Sequence, residues 1–200
     1  MLLESGGKSP TLHPDAWVAP DATLCGDVHV GPGARIAHGA RVIAEAGGRI
    51  DIGANCIVLE NAVIRATARH DCVIGDHCLV GPNTHVVGAR LDGRVFVATG
   101  ASVFHGARLE TGVEVRINAV VHIATHLAAG TTVPIGWIAV GTPAELFSPE
   151  QHEAIWARQR PLDFPRWVYD VDRGDVDVMA RITQAMSDAL ARHRADTALP

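Results

Sequence analysis

Aromatic side chains are scarce in this chain: four Phe, four Trp and one Tyr, 4% of 200 residues. With 48% apolar residues and so few rings, the composition suits a thin aliphatic core rather than one filled by large side chains. Long hydrophobic runs are also missing. No stretch approaches the roughly 20 apolar residues that cross a bilayer, and residues 1–12 carry no apolar signal segment, so a cytoplasmic protein is expected. Basic excess is absent too: 17 Lys and Arg against 22 Asp and Glu give a net charge of −5 and a pI near 6.1. Nucleic acid and anionic membrane are therefore not expected partners. The four cysteines, Cys25, Cys56, Cys72 and Cys78, show no CxxC spacing, which favours free buried thiols over disulfides or a thiolate metal site. At 21.2 kDa the chain is one domain's worth.

What is present is a period of six. Aliphatic residues recur at Val18, Leu24, Val30, Ile36 and Val42, then at Ile52, Val58 and Ile64, then at Ile74, Val80 and Val86. After one five-residue step the rhythm resumes at Leu91 and holds through Val97, Val103, Leu109, Val115, Val121, Leu127 and Val133. The following position is often Gly or Ala, as at Gly31, Ala37, Gly53, Gly75, Gly81 and Ala98, where a larger side chain would crowd a corner. Neither an α-helix nor an ordinary strand has this period, whereas a solenoid does. The expected fold is an all-β solenoid, a left-handed parallel β-helix in which three hexads make one triangular coil of about 18 residues. Such a scaffold carries function on its outer faces or between subunits.

Residues 1–12 read as an N-terminal arm, 13–146 as the β-helix and 147–200 as a C-terminal helical extension. Two excursions break the coils, Ile43 to Arg49 and Ala66 to Asp71, and Gly-Thr-Pro at 141–143 closes them. Ser148, Pro149, Glu150 and Gln151 form a helix-start signature, predicting a helix from Ser148 to Pro161. A second helix is predicted from Asp175 to Arg194, with Val178, Met179, Ile182, Met186, Ala189 and Leu190 on one stripe. The aromatic segment between them, Leu162 to Tyr169, is expected to pin the chain to a flank of the solenoid.

The stretch DAWVAPDATLCGDVHVGPGARI, the hexads after it, and IAVGTPAEL before a C-terminal helix resemble the γ-class carbonic anhydrases among the hexapeptide-repeat proteins, over about residues 12–160. The resemblance implies a homotrimer with zinc held between subunits by three histidines. Two of these directly follow the inward aliphatic of one face in consecutive coils. The third, from the neighbour, lies two after the aliphatic of the preceding face. Here those positions hold Arg65, Val87 and Pro82. Arginine stays protonated, and valine and the proline ring offer no donor, so zinc carbonic anhydrase chemistry is not expected there. The family's Arg-Gly-Asp stretch appears as Ala44-Glu45-Ala46, and its Gln-Asp pair as Leu59-Glu60.

Two readings of Arg65 stand side by side: an ion pair with Glu60 of the next subunit, or an anchor for a substrate carboxylate or phosphate. By phase, His105 and His122 lie one and two coils above Val87. Together with His85 they are the candidate acid/base groups, since imidazole titrates near neutral pH. Arg116 and Asn118 are candidates for orienting substrate or steadying an oxyanion. His126 ends the hexad of His122, and His85 ends the hexad of the neighbouring face. His70 is read as a solvated loop residue, and His13, His29, His38 and His77 as surface residues. No cofactor is expected, although zinc at a relocated site built from His105 and His122 is conceivable. The neighbour's Thr99 and Ile117 would be poor third donors.

Three functions follow. The first is a diverged, metal-independent enzyme of lyase or hydrolase type acting on a small molecule in the inter-subunit cleft of a homotrimer. The second is a hexapeptide-repeat acyltransferase using CoA or a carrier protein. The third is a non-catalytic trimeric scaffold.

Overall fold

A computed structural model describes residues 1–199. The chain winds as a left-handed β-helix of about eight turns, and its strands stack into three parallel sheets. Sheet 1 climbs from Leu2–Glu4 through Thr23–Cys25, Arg41–Ala44, Val63–Ala66, His85–Val87, Ser102–Val103 and Val120–Val121 to Ile138–Val140. Sheet 2 runs from Thr11–Leu12 to His126–Leu127, and sheet 3 from Trp17–Val18 to Thr132–Val133. The register stacks the hexad aliphatics directly: Ile64 on Val42, Val86 on Ile64, Val103 on Val86 and Val121 on Val103. All five are fully buried. Each contributes roughly 1.5–3 kcal/mol by leaving water. The small residue after the aliphatic is a steric requirement. A Cβ on Gly31 would stand 2.9 Å from the Gly53 carbonyl carbon one coil up.

Residues 1–12 are not a free arm. Leu2–Glu4 pairs with Thr23–Cys25, and Thr11–Leu12 pairs with His29–Val30, so the arm forms the first coil. Both expected excursions leave at the corner from sheet 1 to sheet 2 and sit on one another: the Glu45 N–H donates to the Ala66 carbonyl at 3.1 Å. A tight turn at Ser5 to Lys8 leaves the same corner in the first coil.

Three helices follow the coils: α1 at His152–Gln159, α2 at Phe164–Tyr169 and α3 at Val178–Leu190. The Gln151 side chain accepts from the Ser148 N–H at 2.8 Å, half of the expected capping box. Residues 148–151 close a turn of their own (Gln151 N–H to Ser148 carbonyl, 3.0 Å), so the helix begins at His152 rather than Ser148. Ile155 of α1 packs on Val140 and Phe147 and closes the top of the solenoid. The aromatic segment is itself the short helix α2. In α3 the predicted stripe is only partly covered: Ile182 is buried, while Met179 and Leu190 are exposed. A 3-10 turn, Ala191–Ala195, then leads to Thr197–Ala198, which pairs antiparallel with Leu2–Glu4. The chain's end thus returns to its first coil. All four cysteines are free and buried, and burial pushes the Cys72 thiol up to about 12. No described helix is long and apolar enough to cross a membrane.

Candidate functional site on sheet 1

Strand alternation points the residues on either side of each buried aliphatic outward. On sheet 1 this makes two columns. One passes through Val63, His85 and Ser102, the other through Arg65, Val87, Phe104 and His122. Arg65 and Val87 occupy adjacent coils in register, as the hexad phase requires. His85, expected on the neighbouring face, stands on this same sheet in the strand beside Arg65.

Arg65 already has a partner in its own chain. Its Nη2 lies 2.5 Å from Glu45 Oε1, with 28% and 19% of the two side chains exposed. Glu45 reaches it because the first excursion folds back under Ala66. Glu60, the expected partner, is exposed at the corner between sheets 3 and 1, where its carbonyl accepts from the Asn83 N–H at 3.0 Å. The Glu45 bond is the one side-chain hydrogen bond of Arg65 among the described residues. Four of the guanidinium's five donors remain for other partners.

His70 is not a solvated loop residue either. Its imidazole stacks on the indole of Trp167 in α2, with centroids 4.6 Å apart and planes 5° apart, and meets the ring of His105 edge-on at 5.8 Å. The backbone allows this closeness only through glycine. A Cβ on Gly88 (φ +53°) would stand 2.5 Å from the His70 Cβ, and one on Gly106 (φ +70°) would stand 2.5 Å from the Trp167 ring. Arg69 fastens the arrangement by donating to the Trp167 and Val168 carbonyls at 3.2 and 2.9 Å. His105 lies beneath this stack, 9% exposed, with its Nδ1 buried and without a partner among the described residues. Burial above all, then the charges of His70, Arg65, His85 and Arg69, depresses its pKa to about 4. His70 and His85 are lowered too, each by burial first and then by the nearby arginine. His85 meets Phe104 edge-on at 6.3 Å.

His122 stands higher on the same face, its Nδ1 also buried and unpartnered, its pKa lowered by burial. His126 is engaged elsewhere, 2.8 Å from Glu110. Arg116 pairs with Glu114 at 3.0 Å, and Asn118 (φ +56°) occupies a left-handed corner with its side chain against Gly100. The expected set therefore splits. Arg65 and His85 lie in strands of sheet 1, His122 directly follows one, and His105 sits in the turn that leaves this sheet, while Glu60, Arg116 and Asn118 line the ridge between sheets 3 and 1. Glu45 and Trp167, which complete the surroundings of Arg65 and His105, were not singled out from the sequence. The hexad count places the two excursions on neighbouring coils but does not fix where the Glu45 side chain points.

A zinc ion in the position that the resemblance implies does not fit these residues. Arg65 is a guanidinium tied to Glu45, and Val87 beside it has no donor atom.

No family model matches the chain. The chain is 26% identical over 160 residues to mitochondrial γ-carbonic anhydrase 1 of Arabidopsis thaliana, covering 77% of this chain and 56% of that protein. It is 35% identical over 112 residues to the carnitine operon protein CaiE of Salmonella agona (strain SL483), covering 48% of this chain and 57% of that one. It spans little more than half the length of these curated relatives. Among solved structures, a putative acetyltransferase of Bacillus cereus superposes with a TM-score of 0.51 at 16% identity, covering 94% of this chain and 96% of that one, a likeness of fold alone. The hexad ladder, the opening motif and these relatives agree: the chain is a hexapeptide-repeat β-helix protein similar to the γ-carbonic anhydrases.

Proposed function

We propose that the chain assembles as a homotrimer and that sheet 1 walls an inter-subunit cleft where a small oxyanion-bearing molecule is processed by proton transfer without zinc. The observation that carries this reading is His105: a neutral imidazole with an orphaned buried Nδ1, set among Arg65, His85 and His70. A buried polar atom without a partner is costly, and a bound ligand would satisfy it. Neutral His105 can accept a proton from water or substrate. The imidazolium so formed is disfavoured beside Arg65 and Arg69 and gives the proton up again readily. The free donors of Arg65 suit a carboxylate or the negative charge developing on a carbonyl oxygen. Glu45 holds that guanidinium in place from below. His122 is a second acid/base group one coil higher. The class of reaction is hydration, hydrolysis or isomerisation of a small oxyanionic substrate.

Support for assembly comes from the surface that a neighbour would cover. A groove of about 370 Å³ at sheet 3 and its corner with sheet 1 is lined by Leu59, Leu79, Pro82, Phe96, Ile117 and Ile135. Ile117 and Ile135 are 44% and 66% exposed, an apolar patch of the kind that marks interaction sites.

The same groove supports a second reading, acyl transfer, because an apolar channel would suit a pantetheine arm. Calorimetry separates the two. Under the first reading, small carboxylates or bicarbonate bind and Arg65→Met weakens them about tenfold, about 1.4 kcal/mol. Binding of acetyl-CoA, unaffected by Arg65→Met, favours the second. A trimer that binds neither is a scaffold, and the enzymatic reading fails.

A further inference from the structure

A second cluster lies at the opposite end of sheet 1, where the chain's end returns to its first coil. Cys25, His193 and Asp196 bring Sγ, Nδ1 and a carboxylate oxygen within 4.8 Å of one another. Cys25 is 1% exposed at the end of the strand Thr23–Cys25, and its Sγ stands 3.3 Å from Asp196 Oδ2. His193 Nδ1 is 2.7 Å from the same oxygen. The Asp196 side chain is only 10% exposed, and its Oδ1 is buried with no hydrogen-bond partner among the described residues. Nothing in the cluster satisfies that second oxygen.

We propose that Cys25, His193 and Asp196 form a zinc site that clips the C-terminal segment to the first coil. The donors are one sulfur, one imidazole nitrogen and one carboxylate oxygen, a mixture that matches zinc and would not suit a hard cation such as magnesium or calcium. The ligand atoms of one tetrahedral zinc stand about 3–4 Å apart; the Nδ1–Oδ2 pair at 2.7 Å would open slightly, and the widest pair, within 4.8 Å, would close. On binding, the Cys25 thiol loses its proton to solvent and a sulfur–zinc bond forms. Thiolate and carboxylate then balance the dication, while His193 contributes a neutral nitrogen. Water takes the fourth position, towards the open groove bordered by Leu3, Ile43 and Glu45. Glu45 borders both this groove and Arg65, but the three donors are distinct from the residues of the proposed cleft, and the site does not depend on the function proposed for it. Its role is mechanical: His193 and Asp196 directly precede the strand Thr197–Ala198 that pairs with Leu2–Glu4.

The test uses the full chain, stripped of metal by chelator, and zinc or cobalt(II) alone. One ion per chain should bind, cobalt should show a thiolate-to-metal charge-transfer band, and zinc should raise the melting temperature. Cys25→Ser should abolish the band. His193→Gln, in the 3-10 turn, should weaken zinc by at least the about hundredfold that loss of an outer partner can cost. The proposal is overturned if zinc does not bind, if cobalt binds without the thiolate band, or if both variants bind zinc as the unaltered chain does.

Discussion

The imidazole of His70 lies parallel to the indole of Trp167, 4.6 Å between centroids. This pair joins the second excursion to α2 and roofs His105. The short helix is thus part of the site's walls, and the bare backbones of Gly88 and Gly106 make room for it. Trp167→Ala should cost about 2 kcal/mol, less than for a fully buried Trp, because the ring is only half-buried. It should also let water reach His70 and raise its pKa towards the ordinary value. Urea unfolding and histidine NMR measure the two effects. Gly106→Ala should act in the same direction, since its methyl group would strike the indole at a positive φ.

Stability should depend on pH through His105. Its pKa in the fold is about 4, against about 6.5 when unfolded, so the unfolded chain binds the proton more readily. The contribution is complete above the unfolded value, falls as the pH drops from about 6.5 to about 4, and then levels off. The loss is on the order of 3 kcal/mol. His70, His85 and His122, also lowered, add in the same sense. His105→Gln should flatten the slope of unfolding free energy against pH across this window. An unchanged slope would mean that His105 is not held neutral by the fold.

The Arg65–Glu45 pair should be detectable as a coupling energy. Glu45→Gln removes the carboxylate from a guanidinium that is only 28% exposed. A double-mutant cycle with Arg65→Met should give a coupling of about 1–2 kcal/mol. The corresponding cycle on Arg65 and Glu60 should give a value near zero.

Assembly predicts a particle of three 21.2 kDa chains in sedimentation equilibrium. Ile117→Asp, placing a charge on the exposed apolar groove, should shift the population to monomer while leaving the circular dichroism of the β-helix intact.

The solenoid was legible because its rule is local. Six residues advance the chain by one face, so the stacking of Ile64, Val86, Val103 and Val121 can be counted without coordinates. Where the site departs from the sequence reading, the contacts come from segments that break the period. Glu45 reaches Arg65 because an irregular excursion folds back, and no hexad count fixes a side chain outside the hexads. Trp167 reaches His70 across about a hundred residues, through a helix whose docking depends on two glycines rather than on any periodic signal. Residues 1–12 looked like an arm because their coil is interrupted by the turn at Ser5 to Lys8. Once the chain closes, their strands pair like the others. His85 was assigned to the neighbouring face because it ends a hexad, yet the strand begins at that residue.

The most direct test is a histidine NMR titration of the metal-free protein with bicarbonate, acetate and phosphate. The account predicts a His105 resonance that stays in its neutral position down to about pH 5, in keeping with a pKa depressed by burial. One of these anions should move it, and Arg65→Met should remove that response. A His105 that titrates near its ordinary value, or an anion response that survives Arg65→Met, would contradict the assignment of this face of sheet 1 as the working site.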